Sequence, residues 1–391
     1  MDTDVLIIGS GITGLSLAAA LASHTTVVIV EADPTVAYQQ TARAARALEP
    51  TIDPPVLRAL QRRSAELIAD ALGDGAHRLA RPRQRVFAGP SGQTDDLAAA
   101  GGLAVAEDAA SVLTAAAARD TSVSAATDDA LEVDAGALQE HYRDAALDAG
   151  VDIISVADVH TAARIGGGWL VGAGQEGIAA RTVVNAAGAW ADPIAVIAAV
   201  EIQGLQPHRH TAAVFDLDAP LDPDTPALVR DGVVIRPDGD GLLVAEVAGT
   251  PGNAGFVPPH PAAVENLRRA ALTMTGHGLG ELDRAWTAVR TRGRDGLPVV
   301  GYDGEADGFF WLAGQGDGVV HVAPALAELA AGLILDAHGI DHGVDGRGDA
   351  AGAEGRSADE PDTTAILAAL SPVRRVPTRP SADLGRTAPV H

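Results

Sequence analysis

The feature that most constrains this chain is its opening: Val5-Leu6-Ile7-Ile8, then Gly9-Ser10-Gly11-Ile12-Thr13-Gly14, then an Ala/Leu-rich run to Ser23 with no breaker. Four consecutive apolar residues suit a strand buried on both faces, so the segment predicts strand, tight turn and helix. Thr26-Val27-Val28-Ile29-Val30, ending at Glu31, supplies a second strand and closes a βαβ unit. In that context G-x-G-x-x-G is a dinucleotide fingerprint. Gly9 permits the turn, Gly11 lets backbone approach a pyrophosphate, and Gly14 lets the helix pack close to the strand. The helix start at Ile12 and Thr13 offers N–H groups and a partial positive charge to phosphates. Glu31, 22 positions after Gly9 and followed by Ala32, stands where a carboxylate accepts hydrogen bonds from a ribose diol. An acid there argues against a 2′-phosphate and hence against NADP. The fingerprint alone does not separate FAD from NAD.

Composition narrows the chemistry. With 391 residues, 47% of them hydrophobic, the chain can bury cores in two or three domains. Net charge is -24 and all 28 basic residues are Arg, which disfavours nucleic acid or an anionic membrane as partner. The absence of Lys excludes Schiff-base chemistry, and the absence of Cys excludes thiol nucleophiles, iron–sulfur clusters and a cysteinyl-linked flavin. Redox chemistry must therefore come from a bound organic cofactor or a His/carboxylate metal site, and no metal site is singled out. The apolar stretch Val5–Ala22 follows Asp2 and Asp4 and is broken by glycines, unlike a signal peptide or a membrane span. No integral membrane segment is expected, and the expected location is the cytoplasm.

Further along, Leu57, Leu60, Leu67, Ile68 and Leu72 recur at helical spacing over 54–72, and Asp134 is placed to cap a helix over 135–149 that Gly150 ends. Strands are expected at 85–88, 151–154, 168–171 and 180–184, at 211–215 and 232–236 in an antiparallel sheet, and at 309–312. Helices are expected at 323–335 and 363–370, and disorder from about 376. The expected division is a discontinuous cofactor domain of residues 1–80, 131–202 and 286–375, and a substrate domain of residues 81–130 and 203–285.

Three further motifs join the fingerprint: Asn185-Ala186-Ala187-Gly188-Ala189-Trp190, Arg290-Thr-Arg-Gly-Arg-Asp-Gly-Leu-Pro-Val-Val-Gly301, and Gly314-Gln315-Gly316 before a helix. Together they resemble the D-amino-acid oxidase superfamily of flavoproteins. Gly204–Thr211, Arg236–Gly239, Phe309–Gly316 and Leu370–Arg374 are most similar to the D-arginine dehydrogenase branch. The resemblance implies an α/β chain with a glutathione-reductase-type, Rossmann-like FAD domain and an α+β substrate domain on a largely antiparallel sheet. It implies FAD in an extended pose, with Thr41, Arg43, Ala44 and Ala45 along the pyrophosphate and ring, and with contacts from Val156, Ala186, Ala187, Gly188 and Trp190. Backbone N–H groups of Gly314, Gly316, Asp317, Gly318 and Val319 would stand near the ring's pyrimidine edge. Arg290 matches the residue that pairs with a substrate carboxylate beside the flavin, and Arg209, His210 and His321 are candidate pocket residues. The implied reaction removes a hydride from the carbon bearing an amine, giving an imine that water hydrolyses.

The chain also departs from that pattern. Ala47, Ile52 and Val234 stand where arginine-type members carry tyrosines and a His, and Arg83-Gln84-Arg85 lies where a carboxylate would read a cationic side chain. D-arginine is therefore not the expected substrate; a small amino acid or amine with an apolar or small side chain is. Asp317 is an added carboxylate near the flavin, expected to point outward into solvent. Two rivals remain at this stage: a flavin-fold binding or partner subunit that has lost catalysis, and a nicotinamide-dependent enzyme. The electron acceptor, oxygen or a quinone, stays open.

Overall fold

The computed structural model describes residues 1–34, 47–48, 54–72, 79–90, 104–105, 123–239, 241–246, 249–342 and 361–374. The tail expected to be disordered from about 376 lies outside the described residues. One sheet holds β1 (Asp2–Ile8), β2 (Val27–Val30), β7 (Asp152–Ile154), β8 (Val159–Ile165), β9 (Gly168–Ala173), β10 (Glu176–Asn185), β17 (Val299–Tyr302) and β18 (Phe309–Ala313). Its order is β17-β18-β10-β1-β2-β7, with β18, β10, β1, β2 and β7 parallel, β17 antiparallel, and the β8/β9 hairpin extending from β10.

Strand periodicity explains why both faces of this sheet are apolar. Val5, Ile7, Val27, Ile29, Val184 and Phe310 point one way, against α1 (Ile12–Leu21) and the long helix α6 (Val319–His338). Leu6, Ile8, Val28, Val30, Val183 and Trp311 point the other way, against α4 (Ala191–Ile197) and Trp169. Between β2 and β7 come α2 (Pro55–Leu72) and α3 (Ala135–Asp148), the latter capped as expected by Asp134 Oδ1 accepting the Ala137 N–H at 3.0 Å.

A second sheet holds β3 (Ala47–Leu48), β4 (Ala80–Pro90), β5 (Ala104–Val105), β6 (Val123–Val133), β11 (Gln206–Leu217), β12 (Ala227–Arg230), β13 (Val233–Asp238), β14 (Gly241–Glu246), β15 (Thr250–Pro251) and β16 (Leu279–Arg292). Apart from the parallel β12/β4 pair it is antiparallel, in the order β15-β11-β14-β13-β12-β4-β6-β3 with β16 added to β11. Residues 131–133 and 286–292 thus continue this sheet, although the expected boundaries grouped them with the cofactor domain. One face is covered by α5 (Pro261–Thr275), whose Leu267, Ala271 and Met274 meet Phe215, Ile235, Leu242 and Val244. The last described helix, α7 (Thr363–Leu370), follows the expected span.

The opposite face of this sheet carries buried charge. Glu132, 2% exposed, accepts from Arg83 Nε at 2.5 Å and Arg81 Nε at 2.9 Å, and Arg236 Nη1 stands 3.2 Å from its other oxygen. Arg83 also donates to the carbonyls of Thr225 and Pro223, so the cluster fastens the loop before β12 to β4. Burial works against the Glu132 charge, but Arg236, Arg83 and Arg81 outweigh it and hold the carboxyl below its ordinary 4.5. The folded-state value is depressed, so this stabilisation is present above pH 4.5 and is lost as pH falls through the lowered value. Glu132→Gln removes the buried charge that Arg81, Arg83 and Arg236 share, Arg236 keeping its contact with Asp238, and should cost about 3 kcal/mol at pH 7. Thermal unfolding should show a Tm lower by several degrees, with the gap to wild type narrowing in acid.

Candidate cofactor and substrate site

The turn after β1 is built for close approach. Gly9 has φ +105°, and a Cβ there would meet the Ala186 carbonyl oxygen at 2.7 Å. A Cβ on Gly14 would collide with the Gly9 carbonyl oxygen, so α1 can start beside β1 only with glycine at that position. Gly11 is the N-cap of α1 and no side chain caps it, so the helix opens onto a cavity of about 250 Å³ whose wall includes Gly9, Gly11, Ile12 and Thr13. Glu31 and Ala32 are in the same wall. Glu31 Oε2 accepts from the Ser10 N–H at 2.8 Å and the Ser10 hydroxyl at 2.6 Å, while Oε1 accepts from the Asp33 N–H at 3.0 Å. Oε1 keeps a lone pair for a sugar hydroxyl, so turn, helix start and carboxylate fit the ADP half of FAD.

The facing wall comes from the end of β10. Ala186 N–H donates to Ile8 O at 3.0 Å, and Asn185 Nδ2 donates to Ala191 O at 2.7 Å, fixing the turn through Gly188 to Trp190. Ala186, Ala187, Gly188 and Trp190 all border the cavity, and the Gly9 backbone lies against the backbone of Ala186 and Ala187. Thr287 and Val289 of β16, with Gln315 and Val319, add to the wall, and an isolated bridge between Arg292 and Gln315 ties the two sheets at this point.

Several expectations need correction. Val156 is 68% exposed with φ +56° and does not line the cavity; its neighbours Ala157 and Asp158 do. Its left-handed backbone directs its N–H to Asp33 O at 3.4 Å, which turns the side chain outward. Gly314, Gly316 and Gly318 shape the turn between β18 and α6, and the wall itself is formed by Gln315 and Val319. Thr41, Arg43, Ala44 and Ala45 lie outside the described residues. Arg209 pairs in register with Val289 and shares its face, so it packs against Gly252, away from Arg290. His321 is buried; burial first, then Arg85 and Arg290, push its pKa down to about 4 against the Leu131 carbonyl. That carbonyl can only accept, so His321 Nε2–H donates to it at 2.8 Å and holds α6 to β6 as a neutral structural group.

Arg290 and His210 fall on one face of the sheet, because Arg290 pairs with His208 and His210 with Ala288. Arg290 does not line the cofactor cavity: its Nη1 stands 3.5 Å from Asp317 Oδ1. Asp317 does not point into solvent either. Its Oδ2 takes a close ion pair from Arg292, a residue the sequence reading left without a role, and its Oδ1 lies 3.1 Å from His210 Nε2. Burial first, then Arg290 and Arg292, push the His210 pKa down to about 4 in spite of the Glu246 carbonyl, while the Asp317 carboxylate beside Nε2 favours the charged ring. Arg290, Arg292, His210 and Asp317 converge from two strands and one turn.

The cradle gives a test. Replacing Glu31 with Ala should weaken FAD binding to apoprotein about 10-fold or more, read from quenching of flavin fluorescence, because a sugar diol and the Ser10 lock are both lost. Binding of FMN, which lacks the adenosine, should not change.

The family described as FAD dependent oxidoreductase (DAO) matches residues 4–333. Over 111 residues the chain is 30% identical to glycine oxidase of Bacillus licheniformis, covering 28% of this chain and 30% of that protein. Over 156 residues it is 26% identical to glycine oxidase of Geobacillus kaustophilus (strain HTA426), covering 40% and 41%. The matched stretches thus span less than half of these curated relatives. In fold the chain is similar to the crystal structure of glycine oxidase from Geobacillus kaustophilus, with TM-score 0.74 at 19% identity over 96% of this chain and 99% of that one. It is also similar to L-proline dehydrogenase from P. horikoshii, with TM-score 0.72 at 17% identity over 87% and 94%. L-alpha-glycerophosphate oxidase from Mycoplasma pneumoniae with FAD bound gives TM-score 0.73 at 16% identity over 85% and 95%. The likeness to D-arginine dehydrogenase rests on short segments alone and does not reach below the superfamily. The family match runs through the fingerprint, the turn after Asn185 and Arg290, and on it the chain belongs to the FAD-dependent oxidoreductases of the DAO family.

Proposed function

We propose that this protein oxidises the C–N bond of a small amino acid or amine, with an α-amino acid carboxylate held by Arg290. The observation that carries the proposal is the position of the Arg290 guanidinium. It stands on the face of the second sheet away from α5, within ion-pair reach of Asp317, in the turn whose flanking Gln315 and Val319 wall the cofactor cavity. A carboxylate bound there lies beside the cleft. Bound FAD supplies the hydride acceptor for the carbon bearing nitrogen, and water hydrolyses the resulting imine.

The chain's own residues set what can bind. Around Trp286 the same face is lined by Ala212, Val214, Leu243 and Ala245, which suits a small or apolar side chain. Arg81, Arg83 and Arg236 lie on that face against Glu132 and Asp238, which disfavours a cationic side chain such as that of arginine. The expected domain boundaries, the electron acceptor (oxygen or a quinone) and the cytoplasmic location belong to this proposal. For the location, the support is that the apolar helical stretch Gly316–His338, long enough to cross a membrane, has 78% of its apolar window buried inside the fold. One feature suits the rival of a non-catalytic binding subunit: Asp317 already stands at Arg290.

Anaerobic mixing of the flavin-loaded protein with glycine, D-amino acids and N-methyl amino acids decides between them. Bleaching of the flavin absorbance by a small member of the panel is the expected result; no bleaching by any of them favours the binding subunit. Arg290→Ala should raise KM for the reactive amino acid about 100-fold, and unchanged kinetics would remove Arg290 from the site.

A further inference from the structure

Glu31 meets the cofactor cleft already carrying donors. Its main chain is pinned on both sides, the Glu31 N–H donating to Ile154 O at 2.9 Å and the Ala157 N–H to Glu31 O at 2.8 Å, so its side chain starts from a fixed point. β1 and β2 run parallel with Ile8 opposite Val30, and the Gly9 N–H donates to Val30 O at 2.9 Å, which puts Ser10 and Glu31 side by side just past the last strand pair. Ser10 is fully buried there. Its N–H and its hydroxyl both donate to one carboxylate oxygen, Oε2, at 2.8 and 2.6 Å, while the Asp33 N–H donates to Oε1 at 3.0 Å.

A carboxylate has about four acceptor positions, roughly two on each oxygen. Ser10 fills both on Oε2 and Asp33 fills one on Oε1, which leaves a single position for the cavity that Glu31 lines. The adenosine ribose of FAD brings two hydroxyls. What decides the mismatch is the side chain at position 10 and not its backbone: every residue but proline supplies the N–H, whereas the second position on Oε2 is filled because the residue is Ser. The bond from that hydroxyl is a short, charge-assisted one, so a sugar hydroxyl that displaced it would exchange equal partners and gain nothing.

We infer that Ser10 is a positioning residue for the cofactor: through Glu31 it restricts the grip on the adenosine ribose to one hydroxyl, held at Oε1, and leaves the other hydroxyl unread. The inference rests on FAD occupying this cleft and goes beyond it. The middle residue of Gly9-Ser10-Gly11 then sets which sugars the cleft accepts, a role that the glycines around it do not have.

The test is equilibrium binding to the full-length apoprotein, read from quenching of flavin fluorescence, with three probes: FAD, and the two FAD analogues that lack either the 2′- or the 3′-hydroxyl of the adenosine ribose. In wild type one analogue should bind about 10-fold or more weaker than FAD, and the other within about 2-fold of it. Ser10→Ala keeps the N–H and the β-carbon but frees a position on Oε2, so both sugar hydroxyls can be accepted. That variant should bind FAD within about 3-fold of wild type, and both analogues should now be weaker than FAD by about 10-fold. The change of pattern is the readout, since a merely structural Ser10 would weaken all three probes alike. Wild type that loses affinity equally for both analogues, or for neither, overturns the inference. So does a Ser10→Ala protein that keeps the wild-type pattern or loses FAD altogether. Failure of wild type to bind FAD itself is a separate result, and removes FAD from the cleft.

Discussion

The contact on which the rest of the structure depends is that of the Gly9 backbone against Ala186. β1 and β10 are adjacent parallel strands, and both end at the same level, Ile8 opposite Asn185. Because neither Gly9 nor Gly14 carries a side chain, α1 can begin within contact of both strand ends, and its N-terminus faces the cleft between them. A β-carbon at either position would push the helix away and close the phosphate site before any ligand arrived. The buried apolar residues on both faces of the sheet serve to hold these two strand ends in register.

The second sheet solves a different problem, which is to bring charged groups to the edge of that cleft without unfolding. Its α5 face is ordinary apolar packing, while the other face carries Arg83, Arg236, Glu132, His210 and Arg290. Two carboxylates organise it. Glu132 gathers three arginines at the β4/β6 end, and Asp317, reaching over from the turn before α6, gathers two at the β16 end. His321, donating to Leu131 O one residue before Glu132, links α6 to the same framework. The cofactor wall and the charged face of the second sheet are therefore joined at both ends by polar contacts of defined geometry.

How much of this the sequence reveals follows from the range of the interactions. The βαβ opening, the Asp134 cap and the strand at Phe309 are local patterns, and they stand where periodicity and capping put them. α5 is also marked locally, by His260 accepting the Ala262 N–H and by Gly276 at φ +67°, but no span was expected there. The site is less legible. Arg209 and His210 are neighbours, both polar, and only the pairing of β11 with β16 decides which of them shares a face with Arg290. The partners of Asp317, Arg292 and His210, lie far from it along the chain, and no hydropathy pattern carries that information. Arg83, read as the place of a missing substrate-reading carboxylate, is committed to Glu132 instead, a pairing visible only once β4 lies against β6.

The central claim is that the cleft at Gly9, Gly11 and Glu31 holds FAD. Its most direct test is to denature the purified, flavin-reconstituted protein and identify the released cofactor by absorbance and mass. The expected result is FAD, one molecule per chain, released without breaking a covalent bond. A protein that neither retains nor takes up FAD, or that releases a nicotinamide dinucleotide in its place, contradicts it.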